Sequence, residues 1–285
     1  MQPTIKTGKG FPLEKFSPTF GEVELTDTAT APKMKGMFPL RYQKSRAKYG
    51  TWATGRGTKA AYLSYSTSTY GGDDLSSSGD CAAALPGFDP AGLDVEDMQP
   101  LKNNQFIASD EYGKVVIFDS TGTILVTYVA VGQGSLFTEA NTGSPVKEVL
   151  PASFALRRPN RGMESIAVSA NKSVAYTCLQ SGMDGGANET DRKTLGGGVS
   201  SIRNSRVIRC AMLDITDPLN ARLLAEKYFF SSPIWRFPTG KQDSIKLSAA
   251  YWLTDDKVMF LERESEQVSF HEVDFATGSN LQNSQ

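Results

Sequence analysis

The sequence predicts an all-β fold, β-propeller-like, built from blades of four antiparallel strands and incomplete at both ends. Three observations carry this. Apolar and polar residues alternate at the period of a strand in many short runs, while helical periodicity is scarce. Clusters of Gly, Asn and Asp bound those runs at turn spacing. The runs also fall into groups of similar length, which is how a divergent propeller shows itself in sequence.

The first full group covers residues 92–131: GLDVEDMQPLK, QFIASDEYG, KVVIFDSTG and ILVTYVAV. Asn103–Asn104 and the DSTG of 119–122 supply its turns. The second covers 162–230, with GMESIAVSA, SVAYTCLQS, SRVIRCAMLDI and RLLAEKYFF. A third begins at 244 with SIKLSAAYWLT, continues with DKVMFLERES and stops at 275 after QVSFHEVDF, one strand short. Ahead of them, residues 16–42 read as two outer strands of an earlier blade whose inner strands are missing. Two long polar segments, 64–90 and 182–205, interrupt the pattern and read as loops. The whole of 1–285 is read as a single propeller domain.

Unpaired edges of apolar strands invite pairing. The expectation is therefore a protein partner at the edge of 16–42 or of 267–275, or a longer protein of which these blades are a part.

The chain has 285 residues, of which 39% are hydrophobic and 21% charged, enough to build a packed core. Its net charge of −1 offers no basic field for nucleic acid. No apolar run reaches the length of a membrane-spanning helix, and no leader pattern is visible. The single histidine, His271, lies in an alternating strand. It excludes a multi-histidine metal site and disfavours a Ser-His-Asp triad. Cys178 and Cys210 fall on the second and third strands of one blade, as cross-strand neighbours that are free or bonded. Buried free thiols are the default reading.

Strand ends of successive blades converge at one rim of a propeller. Glu96, Asp110, Glu111, Glu164 and Glu262 stand at such ends, and Asp110–Glu111 also precede the tight turn of SDEYG. Clustered carboxylates raise one another's pKa unless a cation joins them. An oxygen-only donor set selects Ca²⁺ first and Mg²⁺ second. Arg161 and Arg263 are placed to grip a phosphate through paired hydrogen bonds. The bland alternative is a set of turn caps and salt bridges, with Glu164 paired to Arg161 and Glu262 to Arg263. Tyr112 reads as a packing residue.

The segment RRPNRGMESIAVSANKSVAYTCLQS at 157–181 resembles the hallmark of the family described as esterase-like activity of phytase. So do FPLEKFSPTFGEVEL (11–25), FDPAGLDVEDMQPL (88–101), SDEYG (109–113), SRVIR (205–209) and KVMFLERE (257–264), in the family's order. The sequence departs from it where Asp97 and Ser165 replace the family's glycines and Lys114 its proline, and the family's early Ser-Asp-Arg-Gly blade and its final blade have no counterpart in these residues.

The resemblance implies a metal-dependent phosphoesterase acting on phytate-like or other phosphate esters. Glu96, Asp110, Glu111 and Glu164 would be catalytic, and all of these with Glu262 would bind the metal. It also implies an extracytoplasmic or organelle-lumen location. A non-catalytic propeller serving as subunit or scaffold of a larger assembly is the alternative.

Overall fold

A computed structural model describes residues 19–25, 32–41, 52–53, 87–88, 93–136, 143–158, 161–183, 204–237 and 241–281. Most of the two predicted loops, 64–90 and 182–205, therefore lies outside the described residues. In chain order the strands are β1 (Thr19–Glu24), β2 (Lys33–Pro39), β3 (Trp52–Ala53), β4 (Gly87–Phe88), β5 (Val95–Pro100), β6 (Gln105–Asp110), β7 (Val115–Asp119) and β8 (Ile124–Ala130). They continue with β9 (Val146–Leu150), β10 (Ile166–Val168), β11 (Val174–Cys178), β12 (Val207–Asp214) and β13 (Arg222–Phe230). The last three are β14 (Lys246–Thr254), β15 (Lys257–Arg263) and β16 (Val268–Asp274). Helical residues among those described are confined to short 3-10 turns.

The second predicted blade is a four-stranded antiparallel sheet, β10-β11-β12-β13, and the third is the three-stranded β14-β15-β16. The first differs from expectation. Its strands β5 to β8 are antiparallel in order, but β9 adds to β8 in parallel, making five. VKEVL at 146–150 is short and carries two charges, so alternation alone did not mark it as sheet. Residues 19–39 form the expected two-stranded hairpin, β1 with β2.

Local chemistry explains the turns. Asn103 and Asn104 both take positive φ (56° and 57°) and reverse the chain between β5 and β6, a conformation Asn tolerates better than most residues. Strands β6 and β7 are buried on both faces, which fits the near-continuous apolar runs FIA and VVIF.

One core runs through all three blades, from Ile107 and Val115 through Tyr176 and Ile208 to Leu247 and Phe260. A smaller core of Leu93, Ala108, Val116 and Phe118 lies under the β1–β2 hairpin. Phe20 closes it, with its ring 5.4 Å from Phe106 and 5.2 Å from Phe118. The hairpin thus covers one face of the first blade.

The innermost strands are β5, β10 and β14, with β10 beside both of the others. Asp97 on β5 fixes one of these joints by accepting the Ile166 N–H of β10 (3.0 Å). Burial raises the Asp97 pKa, and the hydrogen bonds from Ile166 and Met98 only partly offset this. The glycine of the family pattern has no carboxylate to make that bond.

Cys178 and Cys210 are direct partners across β11 and β12 and are joined in a disulfide, correcting the default reading of free thiols. Their separation of 32 residues in sequence means that the bond closes the 182–205 segment at its base. Replacing both cysteines by serine is expected to cost about 2–5 kcal/mol. Calorimetric melting checks this, and a variant that melts like the parent would assign the bond no role in stability.

Candidate functional site

Antiparallel pairing decides which side chains can meet. Val95 pairs with Asp110, Ile166 with Thr177, and Lys246 with Arg263. The starts of β5, β10 and β14 and the ends of β6, β11 and β15 therefore lie at one end of the three inner hairpins. Glu96, Glu111, Glu164, Gln180, Lys246 and Arg263 stand there, although they span 168 positions of sequence.

Backbone contacts lock this end together. Gln180 donates its N–H to the Gly162 carbonyl (2.6 Å) and accepts from Leu247 (2.8 Å), tying the second blade to the third. Met163 donates to the Asp110 carbonyl (3.3 Å), tying it to the first. Gly162 leaves no room for a side chain, since a Cβ would sit 1.8 Å from the Glu111 carbonyl oxygen.

Glu111 is the most unusual residue of the group. It is 2% exposed, and neither carboxyl oxygen has a hydrogen-bond partner of normal geometry. Burial, reinforced by Glu164 and Glu96, pushes its pKa well above the ordinary 4.5, against the opposing pull of Arg157 and the Gly162 N–H. The proton-bearing carboxylic acid is therefore favoured well beyond the usual range.

The cations divide into held and unheld. Arg263 donates to Ser248 (2.6 Å), which donates in turn to Glu164 (2.9 Å), and its guanidinium lies 3.5 Å from Glu164. Arg158 donates to the Asp243 carbonyl and lies 3.9 Å from its carboxylate. Arg157 is buried and lies 5.6 Å from the centre of the Tyr112 ring, the same distance as Lys114. Arg161 has no ion pair among the described residues, and its Nη1 is buried without a partner. Burial and the neighbouring Arg158 lower its pKa to about 10.

Several expectations change here. Glu164 pairs with Arg263, not Arg161. Glu262 is fully buried and accepts from the Ser232 N–H (2.8 Å) while lying 3.0 Å from His271 Nε2, so it is a structural anchor, not a rim ligand. Asp110 has the same character. Its two oxygens accept from Asp94 (2.7 Å) and Tyr112 (2.9 Å), and Lys114 lies 3.6 Å away, fully buried. Burial still raises the Asp110 pKa.

These assignments empty the expected metal cage of two members. The remaining carboxylates, Glu96, Glu111 and Glu164, stand among Arg157, Arg161, Lys246 and Arg263. Among the described residues no three Asp, Glu, His or Cys side chains come close enough to hold one ion. A donor set so balanced by cations does not fit a hard divalent cation.

Ser232, His271 and Glu262 also fail as a triad. Ser232 (3.3 Å) and Glu262 (3.0 Å) both approach the same ring nitrogen, Nε2, whereas a relay needs one at each nitrogen.

Lys246 and Gly162 were not predicted as site residues. The available signal for Lys246 was its strand-start position, equivalent to those of Glu96 and Glu164.

No protein among curated sequences matches the chain. Among solved structures, an ancestral GH74 enzyme overlaps 70% of this chain and 27% of its own, at 10% identity and a TM-score of 0.28, a likeness too loose to assign a topology. The chain thus spans about a quarter of that enzyme's length. The family model for the esterase-like activity of phytase matches residues 22–280, taking in all three blades and every residue of the rim. The chain belongs to this phytase-like family of hydrolases.

Proposed function

We propose that the chain hydrolyses phosphate esters at the rim formed by Glu111, Arg161 and Glu164. The observation that carries this is Glu111, a buried carboxyl with both oxygens without a hydrogen-bond partner, within electrostatic reach of Arg161, whose Nη1 is buried and also without a partner. A carboxyl that burial keeps protonated beyond the ordinary carboxylate range can protonate the leaving alkoxide, the role of a general acid. Arg161 grips the phosphoryl oxygens, where a planar fork offers two parallel hydrogen bonds. Glu164, oriented by Ser248 and Arg263, takes the proton of the attacking water. Glu96 is exposed and adds negative field at the entrance.

The test is turnover of para-nitrophenyl phosphate, set against para-nitrophenyl acetate, by the purified chain. Phosphate release above background supports the reading. Acetate cleavage without phosphate cleavage overturns it in favour of carboxyl esters.

A second reading, a scaffold held by a partner chain, is favoured by one observation. The face of the third blade that carries Tyr251, Val268 and Phe270 leaves them 70%, 59% and 64% exposed. Large apolar side chains exposed on the two outer strands of one sheet mark an interaction surface. Size-exclusion chromatography with light scattering decides. A scaffold is expected to self-associate or to need its partner for solubility, and a stable soluble monomer counts against it. Among the described residues no helix is long and apolar enough to cross a membrane. The Cys178–Cys210 disulfide supports an oxidising compartment outside the cytosol. Thiol trapping in fractionated cells tests this, and free thiols in the native protein would count against export.

A further inference from the structure

We infer that Asn171 carries an N-linked oligosaccharide, which sets a sugar on the turn of the second blade and leaves the rim open. This is independent of the hydrolase reading and rests only on the export reading of the disulfide. Asn171-Lys172-Ser173 is an Asn-x-Ser triplet, the acceptor sequence for oligosaccharide transfer to the amide nitrogen. Such triplets also arise by chance, so the geometry around this one decides.

The triplet lies in the turn between β10 and β11. Lys172 takes a φ of 60° there and donates its N–H to the Ser169 carbonyl (2.9 Å). Asn171 is exposed, as is Ala170 before it. The Ser173 N–H (3.1 Å) and the hydroxyls of Ser169 and Ser173 (2.7 Å each) converge on Asn171 Oδ1. A backbone N–H can only donate, so the atom facing it is the oxygen, and the orientation of the amide is settled. Nδ2, the other branch of that amide, makes no hydrogen bond among the described residues. An exposed nitrogen without a partner takes a substituent at no cost in contacts.

Transfer forms a bond from Nδ2 to the anomeric carbon of a lipid-linked oligosaccharide pyrophosphate. The bond from that carbon to the phosphate oxygen breaks. The lipid pyrophosphate leaves with the electron pair, and Nδ2 gives up one proton. The product is still an amide, so Oδ1 keeps its three hydrogen bonds and the turn keeps its shape.

The turn stands at the far end of the β10–β11 hairpin from Glu164 and Gln180, so a sugar there does not cover the rim. The Cys178–Cys210 bond, which ties β11 to β12, fits the same oxidising compartment in which the transfer takes place.

The test reads Asn171 in the native protein. Cleavage after Arg161 and Lys172 releases residues 162–172. That peptide excludes the second triplet, at 188–190, which lies outside the described residues. Peptide N-glycosidase should convert Asn171 in it to aspartate, which mass spectrometry detects. A bare Asn171 in protein whose disulfide is formed would overturn the site and leave the export reading standing. A bare Asn171 with free thiols would overturn both.

Variants of the full chain, secreted from cultured animal cells, separate the modification from the fold. Asn171→Asp keeps an oxygen for the three hydrogen bonds but has no Nδ2, so it should fold and lose the sugar completely. Ser173→Ala should lose it as well, whereas Ser173→Thr keeps the hydroxyl and should retain it. A sugar still present on Ser173→Ala, or missing from the secreted parent, would overturn the inference.

Discussion

Glu111→Gln is expected to lower phosphate-ester hydrolysis by about 10²- to 10⁴-fold, the usual contribution of a positioned general acid. Glutamine keeps the size and the buried contacts of glutamate but has no proton of suitable acidity to give. The pH dependence separates this loss from a structural one. An acid catalyst works while protonated, so parent activity should fall as pH rises through the elevated Glu111 pKa. Residual activity of the variant should lack that limb.

Stability should move the other way. A carboxyl whose folded pKa is raised binds its proton more tightly in the folded state. Folding stability in the parent therefore declines as pH climbs from the ordinary value of 4.5 toward the raised one. The decline comes from ionising a group that burial and Glu164 disfavour as an anion. Glu111→Gln removes that titration, so the variant should be at least as stable as the parent above this window, with a flatter pH profile across it. An active variant would remove Glu111 from the chemistry. An inactive but markedly destabilised one would place Glu111 in the packing instead.

Gly162→Ala is expected to produce the largest loss of stability of any single substitution named above. The added methyl would meet three backbone atoms of Glu111 at 1.8, 2.3 and 2.7 Å, distances that no rotamer change can relieve. The two segments must separate. That breaks the contact in which Met163 donates to Asp110 and disturbs the one in which Gln180 donates to Gly162. Overpacking against backbone costs about 3 kcal/mol or more. For a domain of this size, that corresponds to a fall in Tm of roughly 6 °C or more. The same shift moves Glu111 away from Arg161, so activity should fall with it. A variant that melts within about 2 °C of the parent would show that the joint between the first two blades is slack.

The residues of the rim illustrate how far the one-dimensional record reaches. Glu96, Glu111 and Glu164 were identifiable as acids at strand ends, because alternation and turn residues locate those ends. Asp110 has an equally good address, next to Glu111 and before the same turn. Its role differs because adjacent residues at a strand end point in different directions. Asp110 turns toward the Asp94 and Tyr112 N–H groups and Lys114. Glu111 reaches toward the second blade. The pairing of Glu164 with Arg263 across 99 positions, instead of with Arg161 three residues away, is likewise invisible to local spacing.

By itself the sequence determined the class of the fold, the second and third sheets strand by strand, the hairpin at 19–39, and membership of the phytase-like family. These follow from strand periodicity, turn chemistry and motif order, all of which are local properties. The tertiary structure alone decided the parallel fifth strand β9, the disulfide between Cys178 and Cys210, and the division of carboxylates into buried anchors and an unpaired acid. It also decided which cations are left without partners. The physical reason is that charge compensation and burial depend on distances between blades. Those distances are set by contacts such as Gly162 against Glu111 and Asp97 against Ile166, which join residues 51 and 69 positions apart.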